Sequence, residues 1–206
     1  MTIKAVVFDV GGVLQTVEEA SIWLDRWRDR LGLDPDEFAT AIARVDRDDV
    51  IGVGRLSEPE FRQQYVEILG LSEVEGDAFM AEMWDWYCGE LDIALVEFVR
   101  GLRPRYQTAI LSNSADGARR EEEARYRFSD LFDTIIYSHE VGLAKPDPRI
   151  YELTCKRLRV SPHEVVLLDD TPAIVDSARE FGIHAVLHES TPASIASING
   201  LLAETV

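Results

Sequence analysis

The chain has 206 residues, 46% of them hydrophobic, and a formal net charge of −17 at pH 7. That length holds one large domain or a domain with an insert. That acidity argues against nucleic acid or an anionic membrane as a main partner, yet leaves room for a small anion where local dipoles or a metal reverse the field.

No segment approaches the ~18 apolar residues of a membrane span. The N-terminus lacks the apolar core and cleavage pattern of a signal peptide. Cys88 and Cys155 lie far apart with no metal-like spacing, so they read as free thiols. The cytoplasm is the expected compartment.

The first predicted element is the apolar run Ile3-Lys4-Ala5-Val6-Val7-Phe8, a buried parallel strand by composition. It stops abruptly at Asp9, followed by Val10-Gly11-Gly12. A carboxylate there sits where open α/β sheets bind ligands. Taken alone, Asp9 reads either as a nucleophilic or metal-binding group or as a polar residue ending a strand before a glycine turn.

From about 15 to 90 the periodicity is helical, with no convincing strand. Trp23, Trp27 and Leu31 recur at four-residue spacing, and Ser57-Glu58-Pro59-Glu60 forms a capping box ahead of Phe61, Tyr65, Ile68 and Leu69. All four tryptophans (Trp23, Trp27, Trp84, Trp86) fall in this stretch, and packing in a small helical core is their expected role. Leu91, Leu95, Phe98, Val99 and Leu102 then mark an amphipathic helix leading back to the sheet.

Beyond it, the runs 108–111, 134–137, 165–168 and 185–187 alternate with helix-like stretches at about 115–128, 147–159, 171–181 and 192–203. Strand–helix alternation predicts a parallel sheet covered by helices, an α/β fold. Asp147-Pro148 and Gly182 supply start and stop signals for two of the helices. The box Ser161-Pro162-His163-Glu164 runs straight into a strand and leaves room for one short turn.

In such a sheet the strand ends share one edge. Asp9, the Ser112-Asn113-Ser114 run and Asp169-Asp170 are predicted to converge there, joined by Lys145 from the loop Gly142-Leu143-Ala144-Lys145-Pro146-Asp147. Lys145 is one of only three lysines, with Lys4 and Lys156, so it is a poor match to background composition. The set suits phosphoryl transfer through an aspartyl-phosphate. Paired carboxylates hold Mg²⁺, Asp9 attacks phosphorus, a serine hydroxyl donates to a phosphoryl oxygen, and Lys145 offsets negative charge.

In order, Val7-Phe8-Asp9-Val10-Gly11-Gly12-Val13-Leu14, Ile110-Leu111-Ser112-Asn113, Gly142-Leu143-Ala144-Lys145-Pro146-Asp147-Pro148 and Val166-Leu167-Leu168-Asp169-Asp170 resemble the four motifs of the haloacid dehalogenase-like hydrolase superfamily. The resemblance spans nearly the whole chain. It implies a Rossmann-like parallel-sheet core, 1–14 and 91–206, with an inserted helical cap subdomain, 15–90, after the first strand. It assigns Asp9 as nucleophile, Ser112 (with Asn113 beside it) and Lys145 to phosphate, and Asp169, Asp170, the Asp9 carboxylate and the Gly11 carbonyl to magnesium. The implied substrate is a small phosphorylated metabolite. The oligomeric state, monomer or homodimer, is left open, because an apolar face of the insert can be buried against the core or against a second subunit.

Two positions depart from the family pattern. Phosphatases of the family usually carry a second aspartate two residues after the nucleophile, and here that place is Gly11. Loss of a general acid costs about 10²–10⁴-fold in rate, less for a good leaving group. A similar subgroup with glycine there includes sugar-1-phosphate phosphatases, so an activated ester such as a hexose 1-phosphate is the expected substrate. Glu18, Glu19, His139 and a metal-bound water are the candidate replacement acids. The second departure is Ile174, where relatives often place asparagine. The competing readings are a 2-haloacid dehalogenase, a non-catalytic phospholigand-binding protein, and a receiver-like signalling domain. The chain is too long for the last, and its acidic pair follows the fourth strand of the sheet rather than the first.

Overall fold

The computed structural model describes residues 2–45 and 50–203. Among them the strands are β1 (Ala5–Phe8), β2 (Gln15–Thr16), β3 (Glu90–Leu91), β4 (Gln107–Ser112), β5 (Thr134–Tyr137), β6 (Val165–Asp169) and β7 (His184–Leu187). Five of them form one sheet in the order β5-β4-β1-β6-β7. Every pairing in that sheet is parallel, with Val7 across from Ala109 on one side and Leu167 on the other. This is the expected α/β, Rossmann-like architecture.

The helices are α1 (Ala20–Leu31), α2 (Pro35–Ile42), α3 (Glu58–Leu69), α4 (Glu73–Cys88), α5 (Ile93–Leu102), α6 (Ala118–Tyr126), α7 (Phe128–Leu131), α8 (Ser138–Val141), α9 (Pro148–Leu158), α10 (Pro172–Phe181) and α11 (Thr191–Ala203). Strand side chains alternate between two layers. Val6, Phe8, Ile110, Val166 and Leu168 pack with α5, α7 and α11 through Leu95, Val99, Phe128 and Ile198. Ala5, Val7, Ala109, Leu111, Val165 and Leu167 pack with α9 and α10 through Ile150, Tyr151, Val175 and Ala178. β1 is therefore covered on both faces, which its unbroken apolar run requires.

Local signals set the helix ends. The Asp147 carboxylate accepts the Arg149 N–H at the start of α9, and Gly182 closes α10 in the left-handed region. The stretch expected as one helix over 115–128 is two, α6 and α7, because Arg127 between them adopts φ 54°. Pro162–Glu164 makes the single short turn expected of its capping box.

The segment between β1 and α5 carries α1 to α4 around Trp23, Trp27, Phe38, Val66, Leu69, Leu71 and Phe79. Phe79 is the hub, with its ring 5.0 Å from Trp23 and 5.2 Å from Trp27. Two expectations need correction. Trp84 leaves this cluster and packs with Phe61, Met80 and Ala118 of α6, so it joins the insert to the sheet layer. The segment also contains strand structure. β2 and β3 pair antiparallel at its base, Gln15 with Leu91 and Thr16 with Glu90. Two-residue strands are too short to show a period in sequence. Among the described residues no helix is long and apolar enough to cross a membrane.

Candidate active site

The site lies at the carboxyl edge of the sheet, where the chain leaves the central strand β1 and its two neighbours. The Asp9 N–H still donates to the Leu168 carbonyl at 2.9 Å, continuing the ladder, while its Oδ1 accepts the Val10 N–H at 2.8 Å. The carboxylate is thus fixed at the strand tip with 8% of the residue exposed. Asp169 ends β6 next door and is fully buried; its Oδ1 accepts the Thr171 N–H at 3.0 Å.

Lys145 enters between them. Its Nζ stands 2.9 Å from Asp9 Oδ1 and 2.6 Å from Asp169 Oδ2, and its side chain is fully buried. Burial alone pulls the ammonium down, but Asp9 and Asp169 outweigh it and hold Lys145 above its usual range, so it stays charged. Burial pushes Asp9 up to about 6; Lys145 opposes this and Asp169 adds to it.

Ser112, 2% exposed, stands at the tip of β4 on the other side of β1. It does not cap the next helix, since Gly117 occupies the N-cap of α6. Asn113 has a task that spacing does not reveal. Its Nδ2 donates to the Lys145 carbonyl at 2.8 Å and its Oδ1 accepts the Lys145 N–H at 2.8 Å. This two-point clamp fixes the peptide that carries the buried ammonium.

Gly11 and Gly12 differ physically. Gly12 has φ +71°, and a Cβ there would stand 2.1 Å from Asp170 Oδ2. Glycine is required for the Asp170 carboxylate to approach the backbone. A Cβ on Gly11 meets nothing within 4 Å.

Oxygens of Asp9, Asp169 and Asp170 all lie within 4.8 Å of one another. Three carboxylates face one ammonium, so the ionised site carries excess negative charge and by itself repels a phosphate dianion. Hard oxygen donors around a charge deficit fit Mg²⁺, which takes few carboxylates and keeps waters. Asp9, Asp169 and Asp170 are the groups that would hold it; the Gly11 carbonyl is a fourth donor only as the family resemblance implies.

Of the candidate replacement acids, Glu18 and Glu19 are exposed, and His139 is turned to Ser114, with its Nδ1 2.8 Å from the Ser114 Oγ. Ile174 is buried on α10, and its carbonyl accepts from Tyr151 and Ser177.

Glu122 went unnoticed in the sequence. It lies in the run Glu121-Glu122-Glu123, which reads as a solvated face, yet it is 0% exposed and its Oε2 accepts the Tyr137 hydroxyl. The available signal is helical phase, since Ala118 and Glu122, four apart, are the buried positions of α6.

A family model described as haloacid dehalogenase-like hydrolase matches residues 3–182. The D-ribitol-5-phosphate phosphatase of Bacteroides thetaiotaomicron is 27% identical over 206 residues, covering 91% of this chain and 93% of that one. The bifunctional epoxide hydrolase 2 of Sus scrofa is 26% identical over 215 residues; the match takes in 96% of this chain but 38% of that longer protein. Among solved structures, a HAD family enzyme from Bacteroides thetaiotaomicron in complex with magnesium and inorganic phosphate superposes with a TM-score of 0.76 at 22% identity, over 92% of this chain and 96% of that one. The chain belongs to the haloacid dehalogenase-like hydrolase family.

Proposed function

We propose that the protein is a Mg²⁺-dependent phosphatase of a small phosphorylated carbohydrate, acting through an aspartyl-phosphate on Asp9. The observation that carries this reading is the buried Asp9–Lys145–Asp169 array, with Asp170 beside it and Ser112 at the adjacent strand tip. Asp9 presents a carboxylate held at one end by the Val10 N–H and Lys145, ready for in-line attack on phosphorus. Bound Mg²⁺ supplies charge neutralisation and orientation of the phosphoryl group. Lys145 and the Ser112 hydroxyl face the equatorial oxygens and stabilise the charge that builds on them. Asn113 acts through Lys145, whose peptide it grips.

The α1–α4 segment, residues 15–90 in the proposed division, serves as a cap over this edge. Two features support it. Glu58 at the start of α3 accepts both Arg120 guanidinium nitrogens, at 2.7 and 2.9 Å, and its N–H donates to Asp116 at 2.9 Å. Gly54 packs so close to the His139 carbonyl that a Cβ there would stand 2.0 Å from the oxygen. Substrate choice is then shared between cap and core. The named activity of the Bacteroides relative supports a sugar or polyol phosphate. A sugar 1-phosphate is the first member to try, because an anomeric oxygen leaves without strong help from an acid at Gly11.

The test is hydrolysis of para-nitrophenyl phosphate and a sugar phosphate panel with and without Mg²⁺, beside Asp9→Asn. Metal-dependent turnover abolished in Asp9→Asn is the expected result. A folded protein that binds Mg²⁺ but releases no phosphate from any ester overturns it in favour of a binding protein. Metal-independent halide release from 2-haloacids overturns it in favour of a dehalogenase.

A further inference from the structure

The loop that leaves β4 is tied to the chain between β5 and α9. Asn113 makes one tie, through its two hydrogen bonds to the Lys145 peptide. Ser138, the first residue of α8 and 0% exposed, makes another. Its Oγ accepts the Ser114 N–H at 2.8 Å and donates to the Ser114 carbonyl at 3.3 Å. One buried hydroxyl thus holds the Ser114 backbone on both sides.

The N–H that Ser138 holds belongs to the Asn113–Ser114 peptide. The carbonyl of that same peptide is the resting partner of Ser112 Oγ, at 3.4 Å. A hydrogen bond of that length is weak, so the Ser112 hydroxyl can turn to a phosphoryl oxygen at little cost. The peptide it rests on cannot follow, because its buried N–H would lose its acceptor. Ser138 is itself held from three directions. Tyr137 before it pairs with Ser112 across β4 and β5. Arg119 Nη2 lies 2.7 Å from Glu140 Oε2, two residues on. Gly54 packs on the His139 carbonyl. The carboxylates that would hold Mg²⁺ stand at the ends of β1 and β6, and their own hydrogen bonds run to Val10, Thr171 and Lys145.

We propose that Ser138 is a positioning residue for phosphate: by holding the Asn113–Ser114 peptide it sets the Ser112 hydroxyl against the phosphoryl oxygens and keeps Asn113 in register with the Lys145 peptide. The proposal rests on the phosphatase reading, which assigns Ser112 and Lys145 to phosphate. Ser138 acts only through the loop that it grips. Its loss leaves the Ser114 N–H without an acceptor, and the peptide then turns to find one. The Ser112 hydroxyl moves with it, and a preorganised donor becomes a wandering one. The metal-holding carboxylates keep their partners, because Lys145 stays tied to Asp9 and Asp169 by its ion pairs. Phosphate binding and metal binding therefore separate in this variant, which a general loosening of the fold would not produce.

The experiment compares wild type with Ser138→Ala. Calorimetry gives the dissociation constant of Mg²⁺ without phosphate, and then that of inorganic phosphate on the Mg²⁺-loaded protein. Steady-state rates on para-nitrophenyl phosphate accompany both. In Ser138→Ala the phosphate constant is expected to rise about 10-fold and kcat/KM to fall about 10²-fold, as a misplaced ligand group does. The Mg²⁺ constant is expected to stay within about 2-fold, since no partner of the metal-holding carboxylates is removed. An unchanged phosphate constant overturns the proposal. A parallel loss of Mg²⁺ and phosphate binding also overturns it, and assigns Ser138 to the fold alone. A wild type that binds Mg²⁺ and phosphate but hydrolyses no ester overturns the phosphatase reading instead, and the two phosphate constants still decide whether Ser138 positions the site.

Discussion

Lys145 Nζ lies 2.9 Å from Asp9 Oδ1, and this contact joins two side chains that the fold has removed from water. The same ammonium reaches Asp169 at 2.6 Å. Lys145→Ala therefore leaves two buried carboxylates facing each other without a counter-charge. Removing one partner of a buried ion pair costs about 3–5 kcal/mol, and that loss is expected in urea unfolding at pH 7 without metal. Added Mg²⁺ should recover part of it, because the cation supplies the missing charge. A change under about 1 kcal/mol would mean that water enters the site once the lysine is gone.

The two glycines after Asp9 should respond in opposite ways. Gly12→Ala drives a methyl into Asp170 Oδ2 and places a side chain at φ +71°. The Mg²⁺ half-saturation concentration is expected to rise about 10-fold or more, since displacing a group that orients a ligand has that effect. Gly11→Asp meets open space and should fold normally. It is expected to raise kcat on an alkyl phosphate more than on para-nitrophenyl phosphate, because it places a carboxylic acid where the family's phosphatases usually carry one. Titration with Mg²⁺ and steady-state rates on D-ribitol 5-phosphate check the pair.

The contact between α3 and α6 offers a third measurement. The Arg120 guanidinium grips Glu58 with two hydrogen bonds, and the Trp84 indole N–H donates to the same carboxylate at 2.7 Å. Arg120 is more than half exposed, so its loss should cost under about 1 kcal/mol of global stability. Its effect on how α3 sits against α6 is expected to be larger. Arg120→Ala should lower kcat/KM for a sugar phosphate several-fold while the Tm moves little. A parallel fall of Tm and activity would assign the pair to stability alone.

Most of the site was readable because its parts are local. Asp9, Ser112 and Asp169 each end an apolar run, and a parallel sheet brings strand ends to one edge whatever the loops do. Lys145 stood out through its rarity and its Lys-Pro-Asp setting. What escaped was what tertiary contact creates. Asn113 beside Ser112 read as a phosphate contact, and only the folded loop turns its carboxamide onto the Lys145 peptide. Glu122 hid in an acidic run whose outer members pair with Arg120 and Ser129. The β2–β3 ribbon is two residues long on each side, below the length at which alternation carries information.

Glu122 also predicts how stability changes with pH. Its folded-state value is about 7, against 4.5 for the unfolded carboxyl. Below pH 4.5 both states are protonated and the residue contributes no pH dependence. Between 4.5 and 7 the unfolded chain releases its proton while the folded protein keeps it. The folded state binds more protons there, so stability falls as pH rises. Above about 7 both states are ionised and the loss stays constant. The full difference is on the order of 3 kcal/mol. Glu122→Gln keeps the shape and cannot ionise, so its stability should lack this decline. Asp9, also raised, titrates in both proteins and cancels in the comparison. Urea unfolding of wild type and Glu122→Gln from pH 4 to 8 gives the difference directly. It is expected to favour the variant progressively up to pH 7 and then level off. A difference that is flat with pH would mean that Glu122 ionises in the folded protein as it does in the unfolded chain.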